Sequence, residues 1–267
     1  ILQVLEHARA ALVVADASNR QLRSIMSELT VPVLLIPRGR AVVPTEALSW
    51  EAVNDCEPAE HVSDDADARA MLLYTSGTTG APKGILLTHA NLLANNQSII
   101  EYLELSESDR VLAVLPFHYS YGNSVLHTHL AVGATVVLGP SMAYPQEVIN
   151  ALRAKQITGF SGVPSTFVMF TQKTDWADEP GALRYVTQAG GAMGVELTRQ
   201  LMSMLGSKTR LYIMYGQTEA TARLTFLPPE MLERKIGSAG IPLSGVELRV
   251  VDDDAFDDKG LADVRKI

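Results

Sequence analysis

The sequence has a single cysteine, Cys56, among its 267 residues. One thiol cannot form an internal disulfide, and it cannot build a metal cluster of cysteine ligands. The fold must therefore be held by its core, and a chain of this length is able to bury a sizeable one. We expect Cys56 to be a small, half-buried residue rather than a reactive thiol.

Basic charge and long apolar runs are also scarce. The chain carries 22 basic residues against 30 acidic ones, a formal net charge of -8. This balance argues against a nucleic-acid-binding surface and against attachment to an anionic membrane. The longest apolar stretch, residues 157–170, is interrupted by Gly, Ser and Pro and is too short to cross a bilayer. Because the opening residues include no basic leader, we predict a cytoplasmic protein with no membrane span.

Short apolar strands alternate with amphipathic helical segments along most of the chain. Residues 11–16 and 32–36 are predicted strands with a helix between them, and residues 37–69 are a predicted exposed connection. Further strands recur about every 25 residues, at 110–116, 134–139, 157–162, 184–190 and 209–215. The pattern predicts an α/β fold, doubly wound, with mostly parallel sheets and helices on both faces. Ligands of such folds bind beyond the carboxyl ends of the strands.

Residues 74–84, YTSGTTGAPKG, are too polar for a core. They combine four small hydroxyl residues, three glycines and Lys83. The glycines allow the backbone N–H groups to form a concavity for anions, and the lysine adds a point charge suited to phosphate. A solvated hairpin turn is the alternative, but a turn does not require this composition. We therefore predict a phosphate-binding loop.

This loop differs from a Walker A sequence. Ala81 and Pro82 separate Gly80 from Lys83, whereas a Walker loop has Gly-Lys followed by Ser or Thr. Pro82 also blocks the helix that a Walker loop opens, and an apolar run follows instead. We predict a strand after the loop and a phosphate cradle of another kind.

Residues 72–84, LLYTSGTTGAPKG, closely resemble the phosphate-loop motif of the AMP-forming adenylating enzymes. That superfamily comprises acyl- and aryl-CoA synthetases, adenylation domains of peptide synthetases, and luciferases. Four further stretches resemble family motifs and follow in the family's order: LPFHYSYG (115–122), QAGGAMG (188–194), YGQTEAT (215–221) and GSAGIPLSGVELRVVD (237–252). The resemblance covers nearly the whole chain, and it is nearest to acyl-CoA synthetases and acyl-AMP ligases.

The resemblance implies a nucleotide site whose residues also suit it chemically. Tyr215, at a strand end, offers a ring for stacking a base, and Gly216 lets the base approach the chain. Thr218 can donate to phosphate, while Glu219 and Thr75 are the expected Mg²⁺ ligands. The full nucleotide set is Thr75, Ser76, Gly77, Thr78, Thr79, Gly80, Lys83, Gly191, Ala192, Met214, Tyr215, Gly216 and Thr218.

The acid substrate is expected beside the nucleotide. The expected acid-binding residues are His118, Tyr119, Tyr121, Gly122, Gly162, Gln188 and Gly190, and the expected catalytic residues are Lys83, His118, Thr218 and Glu219. Amino-acid-activating members usually carry Asp where this chain has His118, so a plain aliphatic or aryl acid is favoured. His127 and His129, two residues apart in a predicted helix, face different ways and do not indicate a metal pair.

The implied reaction uses ATP and Mg²⁺. A carboxylate attacks the α-phosphate of ATP, pyrophosphate leaves, and a thiol then takes the acyl group from the adenylate. The thiol belongs to coenzyme A or to the phosphopantetheine of an acyl carrier protein. An amino-acid adenylation domain, and a nucleotide-binding module without ligase activity, remain the alternatives. The sequence does not indicate an oligomeric state.

Family members are about twice this length, which sets the expected domain organisation. We expect a partial N-terminal α/β subdomain and connection at 1–70, a nucleotide- and acyl-binding subdomain at 71–252, and an acidic tail at 253–267. The family's small C-terminal domain, with its catalytic lysine, has no counterpart here. The chain is therefore expected to be a piece of the large domain, with little turnover by itself.

Overall fold

A computed structural model describes residues 1–37, 39–57, 64–76, 82–174, 176, 181–250, 256–257, 260–261 and 265–266. The chain divides into two compact units, residues 1–65 and 66–267. In the described part of the chain no helix combines the length and the apolar character needed to cross a bilayer.

Among its described residues, the first unit has a small parallel sheet and three α-helices. Its elements are α1 (Leu2–Ala8), β1 (Val13–Asp16), α2 (Arg20–Ile25), β2 (Val33–Ile36), β3 (Leu48–Ser49) and α3 (Glu51–Asn54), and the strand order is β1-β2-β3. The core lies around Leu22, Val33 and Leu35. The side chain of Asn19 caps α2 by accepting from the Leu22 N–H at 3.0 Å, which explains where the helix begins.

Two expectations for this unit are corrected. The predicted connection at 37–69 contains β3, which pairs with β2 at Leu34 and Leu48, because two residues are too few to show a periodic pattern. Cys56 is exposed rather than half-buried. It lies just after α3, which has no buried residue, and its Sγ–H donates to the Ala52 carbonyl at 3.3 Å.

The second unit opens with an antiparallel hairpin. Strands β4 (Arg69–Ser76) and β5 (Pro82–Thr88) pair along their length, and α4 (His89–Leu103) follows directly. Thr88 and Asn91 form a reciprocal capping box at the start of α4. The prediction that a strand follows the glycine-rich segment is confirmed.

A seven-stranded sheet forms the body of this unit. Its order is β12-β11-β10-β9-β8-β6-β7. The parallel strands β6 (Arg110–Ala113), β7 (Thr135–Leu138), β8 (Gly159–Gly162), β9 (Tyr185–Gln188) and β10 (Arg210–Tyr215) confirm the predicted strands, and each ends at or before the predicted boundary. Strands β11 (Thr225–Leu227) and β12 (Ile241–Pro242) add an antiparallel edge.

Helices cover both faces of this sheet. On one face α6 (Pro145–Ala154), α7 (Pro164–Lys173) and α8 (Val195–Leu205) pack on a core that includes Ile149, Phe160, Phe167 and Leu201. On the other face, α4 packs on Tyr185 and Tyr212, and α5 (Ser120–Ala131) packs against α4. The predicted doubly wound α/β fold is confirmed.

The last residues form two short antiparallel pairs. Strand β13 (Arg249–Val250) pairs with β16 (Arg265–Lys266), and β14 (Phe256–Asp257) pairs with β15 (Gly260–Leu261). The other residues of the predicted acidic tail at 253–267 lie outside the described residues.

Candidate nucleotide and acid site

The carboxyl ends of β9 and β10 open into a first cavity of about 480 Å³. Five predicted nucleotide residues line it: Gly191, Ala192, Met214, Tyr215 and Gly216. Tyr215 is the last residue of β10, and 49% of its surface is exposed. A wall of small residues facing a half-exposed aromatic ring suits a flat ring system such as a nucleobase.

Gly216 occupies a position that admits no side chain. A Cβ there would lie 1.8 Å from the carbonyl oxygen of Ala222. Gly190 is required for a different reason, because its φ of +80° lies in the left-handed region. These two glycines keep the backbone bare at the mouth of the first cavity.

A second cavity of about 420 Å³ lies beside the first. Tyr119, just before α5, and Tyr121 and Gly122 in the first turn of α5 line it. The segments after β9 and β10 contribute Gly190 and Gly216. Gly190 and Gly216 line both cavities. The two cavities therefore meet at these two glycines.

Three predicted acid residues lie outside the second cavity lining. Gln188 lines the first cavity instead. His118 is exposed, and its ring is tilted against that of Tyr119 with 4.3 Å between centroids. Gly162, at the end of β8, lies under the ring of Phe167, and a Cβ there would approach that ring to 2.8 Å.

Tyr121 is fixed in the wall of the second cavity. Its hydroxyl lies 2.8 Å from Thr187 Oγ1 and donates to the Thr187 carbonyl at 3.0 Å. Burial raises the pKa of Tyr121 to about 12, so the phenol is neutral at physiological pH. The second cavity thus has one rigid, uncharged aromatic wall.

Arg223 is a neighbour of this wall that sequence analysis missed. Its side chain is buried, its guanidinium carbon lies 5.2 Å from the centroid of the Tyr121 ring, and its Nη1 donates to Tyr102 Oη at 2.6 Å. Its Nε has no acceptor among the described residues. No local pattern could have found it, because the contact with Tyr121 spans about a hundred residues of sequence.

The hairpin places two predicted phosphate residues opposite each other. Thr75 and Lys83 are Cα partners near the end of the β4–β5 ladder, and Lys83 is exposed. The backbone of Ser76 pairs with Pro82. Gly77, Thr78, Thr79 and Gly80 lie outside the described residues. The two strands that flank this segment do form a hairpin, as the alternative interpretation expected. A hairpin can still carry a phosphate-binding loop.

Thr218 and Glu219 lie in a 3-10 turn (Thr218–Ala220) after β10. Thr218 lines the second cavity, and its Oγ1 lies 3.3 Å from Ser120 Oγ. Glu219 is exposed and lines a third cavity, of about 400 Å³, with residues of α4 and of 243–246.

The residues present suit ATP and Mg²⁺. The first cavity combines the small residues Gly191 and Ala192 with the half-exposed ring of Tyr215, which suits a nucleobase. An Mg²⁺ ion that is held largely by phosphate oxygens needs only one or two protein carboxylates, and Glu219 offers one. Among the described residues no three His, Cys, Asp or Glu side chains converge, so a dedicated all-protein cation cage is not found there.

Comparison with known proteins agrees with this fold. The profile of the family described as AMP-binding enzyme matches residues 1–260. A 2-succinylbenzoate–CoA ligase of Bacillus licheniformis is 33% identical over 220 residues, which are 80% of this chain and 44% of that protein. A mitochondrial malonate–CoA ligase of Xenopus laevis is 31% identical over 265 residues, 93% of this chain and 44% of that protein.

A solved structure shows the same architecture. The anthranilate CoA ligase in complex with anthranoyl-AMP matches with a TM-score of 0.80 at 23% identity, over 94% of this chain and 48% of that chain. The present chain thus spans less than half the length of these proteins. The profile match shows that the chain belongs to the AMP-binding enzymes, the AMP-forming adenylating superfamily, and within it the chain is similar to acyl-CoA synthetases.

Proposed function

We propose that the protein containing this chain activates a carboxylic acid with ATP and passes the acyl group to a thiol. In the first step a carboxylate oxygen bonds to the α-phosphorus of ATP. The bond between that phosphorus and the oxygen that bridges the α- and β-phosphates breaks. Pyrophosphate leaves with the electron pair. In the second step a thiolate sulfur attacks the acyl carbonyl carbon, and AMP leaves.

The adjoining cavities are the observation that carries this proposal. An acyl-adenylate is one molecule with a nucleotide half and an acid half, so its site needs two compartments with an open passage. Gly190 and Gly216 line both cavities, so the two halves of one molecule bound there would meet at these two glycines. Holding two reactants in one geometry converts a bimolecular step into an effectively unimolecular one and so raises the rate.

The roles proposed for individual residues follow from their places. Tyr215 and the backbone at Gly191 hold the base. Thr218, at the edge of the acid cavity and beside Ser120, donates to an α-phosphate oxygen as charge develops there. Lys83 on the hairpin balances the charge of the outer phosphates. Mg²⁺, with Glu219 and Thr75 as candidate ligands, would neutralise the leaving pyrophosphate.

The substrate is proposed to be a plain carboxylic acid. The wall formed by Tyr119 and Tyr121 is aromatic and uncharged, and position 118 holds His where amino-acid-activating members usually have Asp. The relatives named above act, by their names, on succinylbenzoate and malonate. Aryl acids and short or aliphatic acids are therefore the first classes to test.

The acceptor is proposed to be coenzyme A, because the relatives are named CoA ligases. A pantetheine-bearing acyl carrier protein is the alternative acceptor. Thioester formation with each thiol, followed by mass spectrometry, distinguishes the two.

The first step is tested by ATP–pyrophosphate exchange with the protein expressed from its complete gene. The acids offered are aryl, aliphatic, dicarboxylic and amino acids, and hydroxylamine traps any adenylate as a hydroxamate. We expect acid-dependent exchange and a hydroxamate with at least one acid that is not an amino acid. Formation of ADP, or no exchange with any acid, would refute the proposal, and exchange with amino acids alone would favour a peptide-synthetase domain.

A further inference from the structure

Two neighbouring residues after β10 have a backbone conformation that suits glycine better. Thr221 has a φ of 62° and Ala222 a φ of 94°, both in the left-handed region. A side chain disfavours this region, most of all in a β-branched residue such as Thr. Elsewhere in the described chain the non-glycine residues with positive φ stand singly at or just after helix ends, where one such residue is common: Arg9, Glu104 and Gln156. Two in a row indicate local strain.

The strained pair lies in a closed loop. Residues 216–224 join the antiparallel strands β10 and β11. The Leu224 N–H donates to the Tyr215 carbonyl at 2.9 Å, which closes the loop at its base. A Cβ on Gly216 would clash with the carbonyl oxygen of Ala222. The loop is therefore folded tightly back on its own first residue.

Arg223 fastens this loop to helix α4. Its carbonyl oxygen accepts from Asn95 Nδ2 at 2.7 Å, and its Nη1 donates to Tyr102 Oη at 2.6 Å. Asn95 and Tyr102 both belong to α4, and the guanidinium also packs over the ring of Tyr121 on α5. A strained backbone persists only where its surroundings over-determine it. The contacts of Arg223 supply that restraint for the two strained residues before it.

The same loop carries a residue proposed for the reaction. Thr218 lines the second cavity, beside Ser120 at the start of α5. The Thr221 N–H donates to the Thr218 carbonyl at 3.1 Å, so relaxation of the backbone at Thr221 would move Thr218. A reacting group must be held within about 0.5 Å of its productive position. The conformation of Thr221 therefore bears on the chemistry of Thr218.

We infer that Thr221 is a positioning residue, whose left-handed backbone, held by Arg223, fixes the Thr218 hydroxyl beside the second cavity. This inference rests on the proposed function, because it takes Thr218 to donate to the α-phosphate during activation of the acid. The strained loop lowers the stability of the protein. It also holds the hydroxyl in place before the reactants arrive, so the reaction does not have to order it.

The test substitutes Thr221 in the protein expressed from its complete gene. Thr221→Gly frees the backbone, whereas Thr221→Ala removes the hydroxyl and the methyl group but keeps the Cβ that disfavours this conformation. Thr221→Gly should unfold at a higher temperature than Thr221→Ala, by on the order of 2 °C. It should also lower the kcat of ATP–pyrophosphate exchange about tenfold or more, with little change in the KM for ATP. The kcat of Thr221→Ala should lie above that of Thr221→Gly.

A double-mutant cycle shows whether Thr221 acts through Thr218. Thr218→Ala removes the hydroxyl, so the addition of Thr221→Gly to this variant should lower kcat no further. Gln156→Gly is the matched control, because it frees another left-handed residue, one that is exposed and lines none of the three cavities. It should raise the unfolding temperature above that of the wild type and leave kcat unchanged.

The outcomes separate this inference from the proposed function. A folded Thr221→Gly protein with the wild-type kcat, or one that unfolds no later than Thr221→Ala, would overturn the inference and leave acid activation intact. An equal loss from Thr221→Gly with and without the Thr218 hydroxyl would do the same. Failure of Thr221→Gly to fold would contradict the inference, since glycine is expected to stabilise this backbone. If the wild-type protein shows no exchange with any acid, the proposed function is refuted and the inference falls with it.

Discussion

In the core between α5 and the central sheet, Tyr185 donates a hydrogen bond of 2.6 Å from its hydroxyl to Nε2 of His129. Burial lowers the pKa of His129 to about 4, from a usual value of 6.5, so the ring is neutral at physiological pH. Nδ1 lies 2.7 Å from the Val125 carbonyl and must donate to it, so Nε2 is the nitrogen that accepts from Tyr185.

This pair makes the stability of the second unit depend on pH. The folded state takes up a proton on His129 only below about pH 4, whereas the unfolded chain takes one up near pH 6.5. Between those values the unfolded state binds more protons, so stability falls as the pH falls through this window. The loss attributable to His129 is on the order of 3 kcal/mol over the whole window.

Urea unfolding at intervals from pH 7 to pH 4.5 measures this loss. In His129→Gln the slope of stability against pH should be shallower than in the wild type, although the variant is less stable at pH 7. The exposed substitution His89→Gln is the control and should keep the wild-type slope. A His129→Gln protein with an unaltered slope would show that His129 does not cause it.

Lys83→Ala should raise the KM for ATP more than the KM for the acid. Lys83 is exposed on the hairpin that carries the candidate phosphate loop, and it does not line the acid cavity. Loss of one charged phosphate contact is expected to cost about 1.5–3 kcal/mol. Steady-state kinetics with each substrate varied in turn, beside the surface variant Lys173→Ala, checks this, and equal effects on both KM values would argue against phosphate contact.

Glu219→Gln should change the dependence of adenylate formation on Mg²⁺. The substitution keeps the shape of the side chain and removes its charge, so more Mg²⁺ should be needed for half-maximal exchange. A magnesium titration of the exchange rate measures this, with the exposed substitution Glu233→Gln as control. An identical titration curve for Glu219→Gln would remove Glu219 from the metal site.

Tyr121→Ala should alter the choice of acid without altering the KM for ATP. The substitution removes an aromatic wall from a cavity of about 420 Å³, so bulkier acids should gain relative to smaller ones. The ratio of kcat/KM values for a bulky and a small acid of the same class measures the change. Tyr144→Ala, which removes an exposed ring, should leave that ratio as it is. An equal decrease in kcat/KM for every acid would indicate that the site has collapsed.

Most of the fold was predictable because its strands are apolar runs separated by amphipathic helices. Helix α6 shows this: Pro145 starts it, and Val148, Ile149 and Leu152 are fully buried, as the spacing of apolar residues predicts. The antiparallel strands β11 and β12 were missed, since they are short and follow irregular segments. Strands of two or three residues are too short to show an alternating pattern in the sequence.

The site was predictable in its parts but not in its arrangement. The motif YGQTEAT, through its resemblance to the family and its place at a predicted strand end, identified Tyr215 and Gly216, which line the first cavity. The side on which Gln188 lies depends on the phase of β9, and that phase is visible only once Thr187 is seen to bond Tyr121. Arg223 depends on tertiary contacts with Tyr102 and Tyr121, so no local pattern marks it. Contacts between residues far apart in the chain cannot be read from the periodicity of the sequence.

One strand therefore borders two cavities. Thr187 bonds Tyr121 in the wall of the second cavity, Ala189 just beyond the strand lines that cavity, and Gln188 between them lines the first. Deletion or insertion of one residue within β9 would exchange the cavities that these positions border. Under the proposed function, changes of acid preference along this segment would be confined to alternate positions, because the intervening position borders the other cavity.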